Sequence, residues 1–353
     1  MPHPVALDPA AFRTEVDGKP TDLHTLTGDG GVSVDVTDYG ARIVRILAPD
    51  RDGVPGDVVL GYDNIRSVMG GQASMGAFIG RFANRIAHGR FTLDGVEHQL
   101  ARNGGAHHIH GGVKGSRFRV FDTERLGPGA VRMSLTYADG EEGYPGELRS
   151  AVTYRLDGDT LRMEYEAVAD RRTIVNFTGH AYFNLAGAGS ILDHVLTMNA
   201  RAFTPTDATA IPTGEIRPVA GTPFDFTTPH RIGERIDADD EQIRFGSGYD
   251  HNMVIDKPPG AFGPVATVEE PVSGRLLEVS SSEPGAQLHS GNFLTGAAPR
   301  DVGRGGVPFV RRGGLCIEPQ RFPDAPNHPN FPSTVLDPGE IFRGVIAYRF
   351  GVR

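Results

Sequence analysis

Hydrophobic and polar residues alternate in short runs along most of the chain, as in 131–137, 151–156, 161–167 and 341–350. Alternation with period two marks a strand with one buried face. Asp94-Gly95, Gly127-Pro-Gly129, Asp157-Gly158 and Asp337-Pro-Gly339 supply turn chemistry between the runs. Asp157-Gly158, set between two alternating runs, predicts a hairpin over 151–167. Helical periodicity is confined to 64–70 and 230–236, a turn or two each. Without strand–helix–strand alternation a parallel sheet is disfavoured, so the pattern predicts an all-β protein, a large antiparallel β-sandwich with few short helices. No shift in composition and no internal repeat divides the chain. Residues 1–353 therefore read as one domain, with 1–12 as a loosely ordered N-terminal segment.

One run has a second face of unusual chemistry. In Ile174-Val-Asn-Phe-Thr-Gly-His-Ala-Tyr-Phe-Asn-Leu185 the residues Val175, Phe177, Ala181, Phe183 and Leu185 point one way. Asn176, Thr178, His180, Tyr182 and Asn184 point the other, a neutral hydrogen-bonding row around one imidazole. Such a row suits either a cleft that grips a polyhydroxylated ligand or a plain solvent-facing surface.

Composition narrows the classes. Forty-seven Gly and 26 Pro fit many strands joined by many turns. The net charge of −9 disfavours nucleic acid, which needs a basic patch. The lone Cys316 cannot pair within the chain and gives no sign of an oxidising compartment. The first residues lack a basic and an apolar signal region, and no apolar run approaches a membrane span. A cytoplasmic protein with no membrane partner is the expectation; oligomeric state leaves no mark in the sequence.

Several short segments carry candidate chemistry. In His107-His108-Ile109-His110-Gly111-Gly112, His108 and His110 share a strand face, as two metal ligands would. The carboxylate such a site needs is missing nearby. The paired glycines fit a turn that lets backbone or ligand approach closely, and a histidine satisfied within a packed loop is the bland alternative. In Leu315-Cys-Ile-Glu-Pro-Gln320, Glu318 ends an apolar run. Burial raises a carboxyl pKa towards the range of a general base; an edge-strand salt bridge is the competing reading. Cys316, between Leu315 and Ile317, reads as a small buried side chain. Asn84 and Arg85 follow an apolar approach, Asp250 offers a carboxylate for two vicinal hydroxyls, and Gln287 and His289 share a face. No Ser elbow, Walker loop or dinucleotide fingerprint occurs, and no cofactor is expected.

From about residue 28 onward the chain resembles the aldose 1-epimerases, or galactose mutarotases. The resemblance is carried in order by Gly80-Arg-Phe-Ala-Asn-Arg-Ile86, Ile109-His-Gly-Gly112, Glu142-Gly-Tyr-Pro-Gly146 and residues 175–185. It continues through Ile211-Pro-Thr-Gly-Glu-Ile216, Gly221-Thr-Pro-Phe-Asp-Phe226, Tyr249-Asp-His251, Gly291-Asn-Phe-Leu294, Cys316-Ile-Glu-Pro-Gln320 and residues 322–333. It implies a β-sandwich that interconverts the α and β anomers of galactose, glucose or a related aldose, a monosaccharide substrate needing no metal or cofactor. It further implies Glu318 as general base at the anomeric hydroxyl and His180 as general acid at the ring oxygen. His110 is implied as a second histidine there, and Asn84, Arg85, Asp250 and Gln287 as substrate contacts. The chemistry needs Glu318 ionised while His180 is protonated. Two departures stand out: Gly179 where the family usually has Asn, and His289 where it usually has Tyr. A sugar-binding protein without turnover is the main alternative. A hexose 6-phosphate enzyme is another, but the matched motifs contain only Arg81 and Arg85 to hold a phosphate.

Overall fold

The computed structural model describes residues 6–72 and 74–353. Its largest sheet has nine strands, all paired antiparallel. The predicted hairpin lies at its heart: Leu148–Asp157 and Thr160–Ala169 pair in continuous register from Leu148↔Ala169 to Asp157↔Thr160. Phe342–Val352, the last strand of the chain, joins that hairpin to Arg275–Ser281 and so links the middle of the chain to its C-terminal part in one sheet. Alternation does what it foretold, since Leu161, Met163, Tyr165 and Ala167 are buried against Phe342, Ile346 and Tyr348 in one hydrophobic cluster.

Two further sheets of more than two strands accompany it, together with five two-stranded pairs among the described residues. One has four strands and includes Leu23–Thr27, Ser33–Thr37 and Arg42–Pro49. The other has five, in the order Arg217–Pro218, Ala200–Thr204, Asp250–Ile255, Gly285–His289, Cys316–Gln320.

The helical expectation is half right. Ile65–Gly70 is an α-helix capped by the Asn64 side chain, which accepts from Ser67 N. Residues 230–236 instead give a two-residue strand and the 3-10 turn Ile232–Glu234. The second α-helix is Glu241–Gly246, begun by Asp240, whose carboxylate accepts from Gln242 N and Ile243 N. The looseness expected of 1–12 does not extend to Pro9–Phe12, a 3-10 turn that buries Phe12 with Tyr62, Ile65 and Val68. Residues 1–5 lie outside the described residues. Among the described residues no helix is long and apolar enough to cross a membrane.

The run 174–185 is extended, but it pairs only in pieces. Thr173–Ile174 and Thr178–Gly179 are short strands, and Phe183 bridges both Val59 and Leu315. Its apolar face is buried as expected, with Val175, Phe177, Ala181, Phe183 and Leu185 all in the main cluster. Its polar face is not a ligand-gripping row. Asn176 donates to the Ala83 and Arg321 carbonyls at 3.2 and 3.1 Å and accepts from Arg321 N at 2.9 Å. Thr178 Oγ1 donates to Pro319 O at 2.8 Å, and Asn184 Nδ2 to Gly313 O, also at 2.8 Å. Three of the five polar side chains thus fasten this segment to residues 313–321, leaving His180 and Tyr182 to face open space.

Candidate active site

The five-stranded sheet forms the floor. Gln287 stands opposite Glu318, and His289 opposite Cys316 on one side and Asp250 on the other. Directly opposite residues share a sheet face, so register alone gathers these side chains. Cys316–Gln320 is the edge strand, a position where Pro319 loses nothing by having no N–H. Over this face lies a cavity of about 250 Å³ bordered by Asp250, Gln287, His289 and Glu318. The extended run brings His180 to its wall, and Asn84, Arg85 and His110 complete it.

His110 and Asn84 reach the cavity through unusual backbone. Both have positive φ, 52° and 63°. His110 N donates to Asn84 O at 3.0 Å, while Asn84 N donates to His110 Nδ1 at 3.2 Å. Because Nδ1 accepts, the neutral ring keeps its proton on Nε2. Of the two glycines that follow, Gly111 admits backbone and Gly112 a side chain, and neither opens towards a ligand. A Cβ on Gly111 would fall 2.0 Å from Gly80 O, and one on Gly112 2.1 Å from a Glu142 carboxylate oxygen. The supposed ligand pair separates: His108 contacts Ala101 O at 2.7 Å and Tyr144 Oη at 2.6 Å, away from the cavity.

Glu318 Oε1 lies 3.6 Å from His180 Nε2, with both side chains buried. Its other oxygen has no hydrogen-bond partner. Burial, then the Asp250 carboxylate, pushes the Glu318 carboxyl well above its ordinary pKa. Burial, then His289, pulls His180 down to about 3. Both shifts run against the expected imidazolium–carboxylate pair in the protein on its own and favour the neutral pair, with the proton on Glu318. The physical reason is desolvation, which penalises either charge. Burial, then Arg117 and His180, keeps His110 neutral as well. For Asp250 burial opposes ionisation, but His289 at 3.4 Å and Arg85 hold its carboxyl well below the usual range. Gln287 Nε2 also donates to Asp250 Oδ1 at 2.8 Å.

Cys316 is buried as expected, its Sγ 3.6 Å from His180 Nδ1. Ligand atoms of His180, Cys316 and Glu318 lie within 4.8 Å of one another, a set able in principle to hold a metal. Burial pushes the thiol well above its ordinary pKa, so Cys316 on its own is a neutral thiol. Of the two departures, Gly179 packs over Met163 and Tyr348, where a Cβ would come within 3.0 Å of Met163 Sδ. His289 faces the cavity, its ring stacked on Phe293 at 5.9 Å.

Sequence reasoning missed five lining residues: Gln72, Ser74, Ile109, Arg117 and Phe293. Phe293 lay within a quoted motif, but nothing in the pattern told it from a core aromatic. Arg81, by contrast, is turned away: it donates to Gly146 O, Pro145 O and Thr173 Oγ1.

Comparison with known proteins shows the family and the fold. The sequence model of the aldose 1-epimerase family matches residues 22–349. A galactose mutarotase from Bos taurus is 44% identical over 321 residues, 90% of this chain and 91% of its own. An aldose 1-epimerase from Escherichia coli is 35% identical over 338 residues, 95% and 96% respectively. The crystal structure of an aldose epimerase homologue from C. elegans superposes with a TM-score of 0.86 at 30% identity, covering 94% of this chain and 99% of that one.

Proposed function

Because the chain belongs to the aldose 1-epimerase family, we propose that it interconverts the α and β anomers of an aldose such as galactose or glucose, with Glu318 as general base at O1 and His180 as general acid at O5. The observation that carries this reading is the 3.6 Å contact between the two groups at the wall of one sugar-sized cavity. O1 and O5 share a single carbon, so one bound pyranose puts both within reach of groups this close.

The proton must first move. An O1–H that donates to Glu318 favours its carboxylate, and His180 is the adjacent acceptor. That transfer leaves the summed charge of the pair unchanged. Glu318 then takes the O1 proton while His180 protonates O5, and the C1–O5 bond breaks to give the aldehyde. Rotation about C1–C2 presents the other carbonyl face, and the same pair closes the ring in reverse. His110, its Nε2 proton retained, donates to the ring oxygen as negative charge builds there. The ionised Asp250 accepts from two vicinal hydroxyls, with Gln287, Asn84 and Arg85 as further hydrogen-bonding contacts.

Polarimetry on freshly dissolved α-D-galactose and α-D-glucose tests the reading. Wild-type protein should accelerate the approach to equilibrium, and Glu318→Gln and His180→Asn should each lower kcat by roughly 10²–10⁴-fold while the fold stays intact. A wild-type rate equal to that of buffer would mark a sugar-binding protein. A near-normal rate in either variant removes that residue from its role.

A further inference from the structure

One cation in the cavity has no counterpart among the groups just assigned. Arg117 borders the cavity yet is only 7% exposed. Nη1 donates to Ser74 Oγ at 3.2 Å, and Nε is buried without a hydrogen-bond partner. No carboxylate comes within ion-pair distance of it among the described residues. The Glu142 carboxylate, which acts on it from further off, is engaged by Val113 N and Lys114 N at 3.1 and 2.7 Å. A second arginine, Arg42, donates to the Arg117 carbonyl at 3.1 Å and adds like charge. Burial, then Arg42, lowers Arg117 only to about 10, so it stays protonated at neutral pH. The Phe118 ring, centred 4.8 Å from Arg117 Cζ, is a cation–π partner but brings no negative charge, and a buried cation without a counter-ion is costly unless a ligand supplies one.

Position says which end of the ligand. Ser74, which holds Arg117, is tied to the segment that carries His180: Ala77 N donates to Ser74 O at 3.0 Å, and His180 N donates to Ala77 O at 3.0 Å. Arg117 therefore lies on the side of the cavity from which His180 enters. In an aldohexopyranose the ring oxygen joins C1 to C5, and C5 carries C6. A group on C6 is thus the substituent beside the atom that the histidines address. Arg85 and Arg117 both border the cavity, and of its carboxyl groups Asp250 already has His289 at 3.4 Å and Glu318 has His180 at 3.6 Å. Arg117 is left without an acidic partner in the cavity among the described residues.

We propose that Arg117 and Ser74 form an anion-binding end to this cleft, so that the preferred substrate is an aldose with an acidic group on C6, a hexuronic acid before a hexose 6-phosphate. A planar guanidinium pairs with a carboxylate through two parallel hydrogen bonds, and Ser74, already accepting from Arg117, keeps its O–H to donate. A phosphate carries close to two negative charges, of which Arg117 at this end of the cleft offsets one. This assignment rests on the epimerase reading above.

The test compares mutarotation of freshly dissolved galacturonic acid, galactose and galactose 6-phosphate by wild type, Arg117→Met and Arg117→Lys. For wild type, kcat/KM should be at least about tenfold higher for galacturonate than for galactose, and added salt should narrow that ratio. The ratio should fall to near one in Arg117→Met and stay intermediate in Arg117→Lys. Catalysis of galactose with no preference for galacturonate overturns the anion end and leaves the epimerase reading standing. A ratio unchanged in Arg117→Met also overturns it. Faster turnover of galactose 6-phosphate than of galacturonate overturns the carboxylate assignment. Buffer rates with all three sugars would sink both readings. The wild-type ratio decides the matter even should a variant fail to fold.

Discussion

Asp250 does two things at once, and a substitution there separates them. Its ionised carboxylate is a hydrogen-bond acceptor in the cavity, and its charge is the second cause, after burial, of the raised Glu318 pKa. Asp250→Asn should raise KM for the sugar by roughly 10–100-fold, the weight of one or two charge-assisted hydrogen bonds. It should also bring the Glu318 pKa down towards its ordinary value, because a like charge no longer opposes ionisation. Because the pair must keep one proton to pass to O5, the alkaline limb of the kcat/KM profile, which reports on the free enzyme, should shift to lower pH. An unshifted limb would mean that the two carboxyl groups do not sense each other. At this scale much of the site is legible in sequence: Asn84, Arg85, His110, Asp250, Gln287 and Glu318 all border the cavity. What cannot be read is protonation, since desolvation depends on what surrounds a group in space.

At the scale of elements, the run 174–185 holds its catalytic candidate in place by side-chain hydrogen bonds to backbone. Asn176 alone serves both the N–H and the C=O of Arg321 as well as Ala83 O. Asn176→Ala would leave these buried groups without that partner and should cost about 2–4 kcal/mol in urea unfolding, with the secondary-structure spectrum unchanged. A loss below about 1 kcal/mol would show that the attachment is carried elsewhere. The alternation of this run located its two faces correctly. It could not tell a polar residue that meets ligand from one that meets backbone, because both need the same amides and hydroxyls. His108 and His110 show the limit again: their spacing puts them on one face only while the strand continues, and the positive φ of His110 ends it.

Across the whole molecule, the sandwich was readable from alternation and turn residues, while the pairing of distant strands was not. Register between Gly285–His289 and Cys316–Gln320 depends on long-range packing that no local pattern encodes. Stability should carry a further global signature. Burial lowers His108, His194 and His251 each to about 4. With folded pKa values below the unfolded one, the unfolded chain binds protons first as pH falls. The stability these groups contribute is complete above about pH 6.5 and is lost towards pH 4, by up to about 3 kcal/mol for each. The deficit of His108→Gln relative to wild type, measured by urea unfolding, should therefore shrink by about 2–3 kcal/mol between pH 7 and pH 4. A constant deficit would mean that His108 is not held neutral inside the fold. One feature of the architecture bears on how the molecule fails. The strand that carries Glu318 is the rim of its sheet, and its free side is covered by the segment that carries His180, through the Phe183–Leu315 bridge and the Asn176 and Thr178 bonds. An uncovered rim is a template for pairing with other chains. Any stress that peels the cover away disarms the enzyme and makes it adhesive in the same event, so inactivation and clumping should set in together.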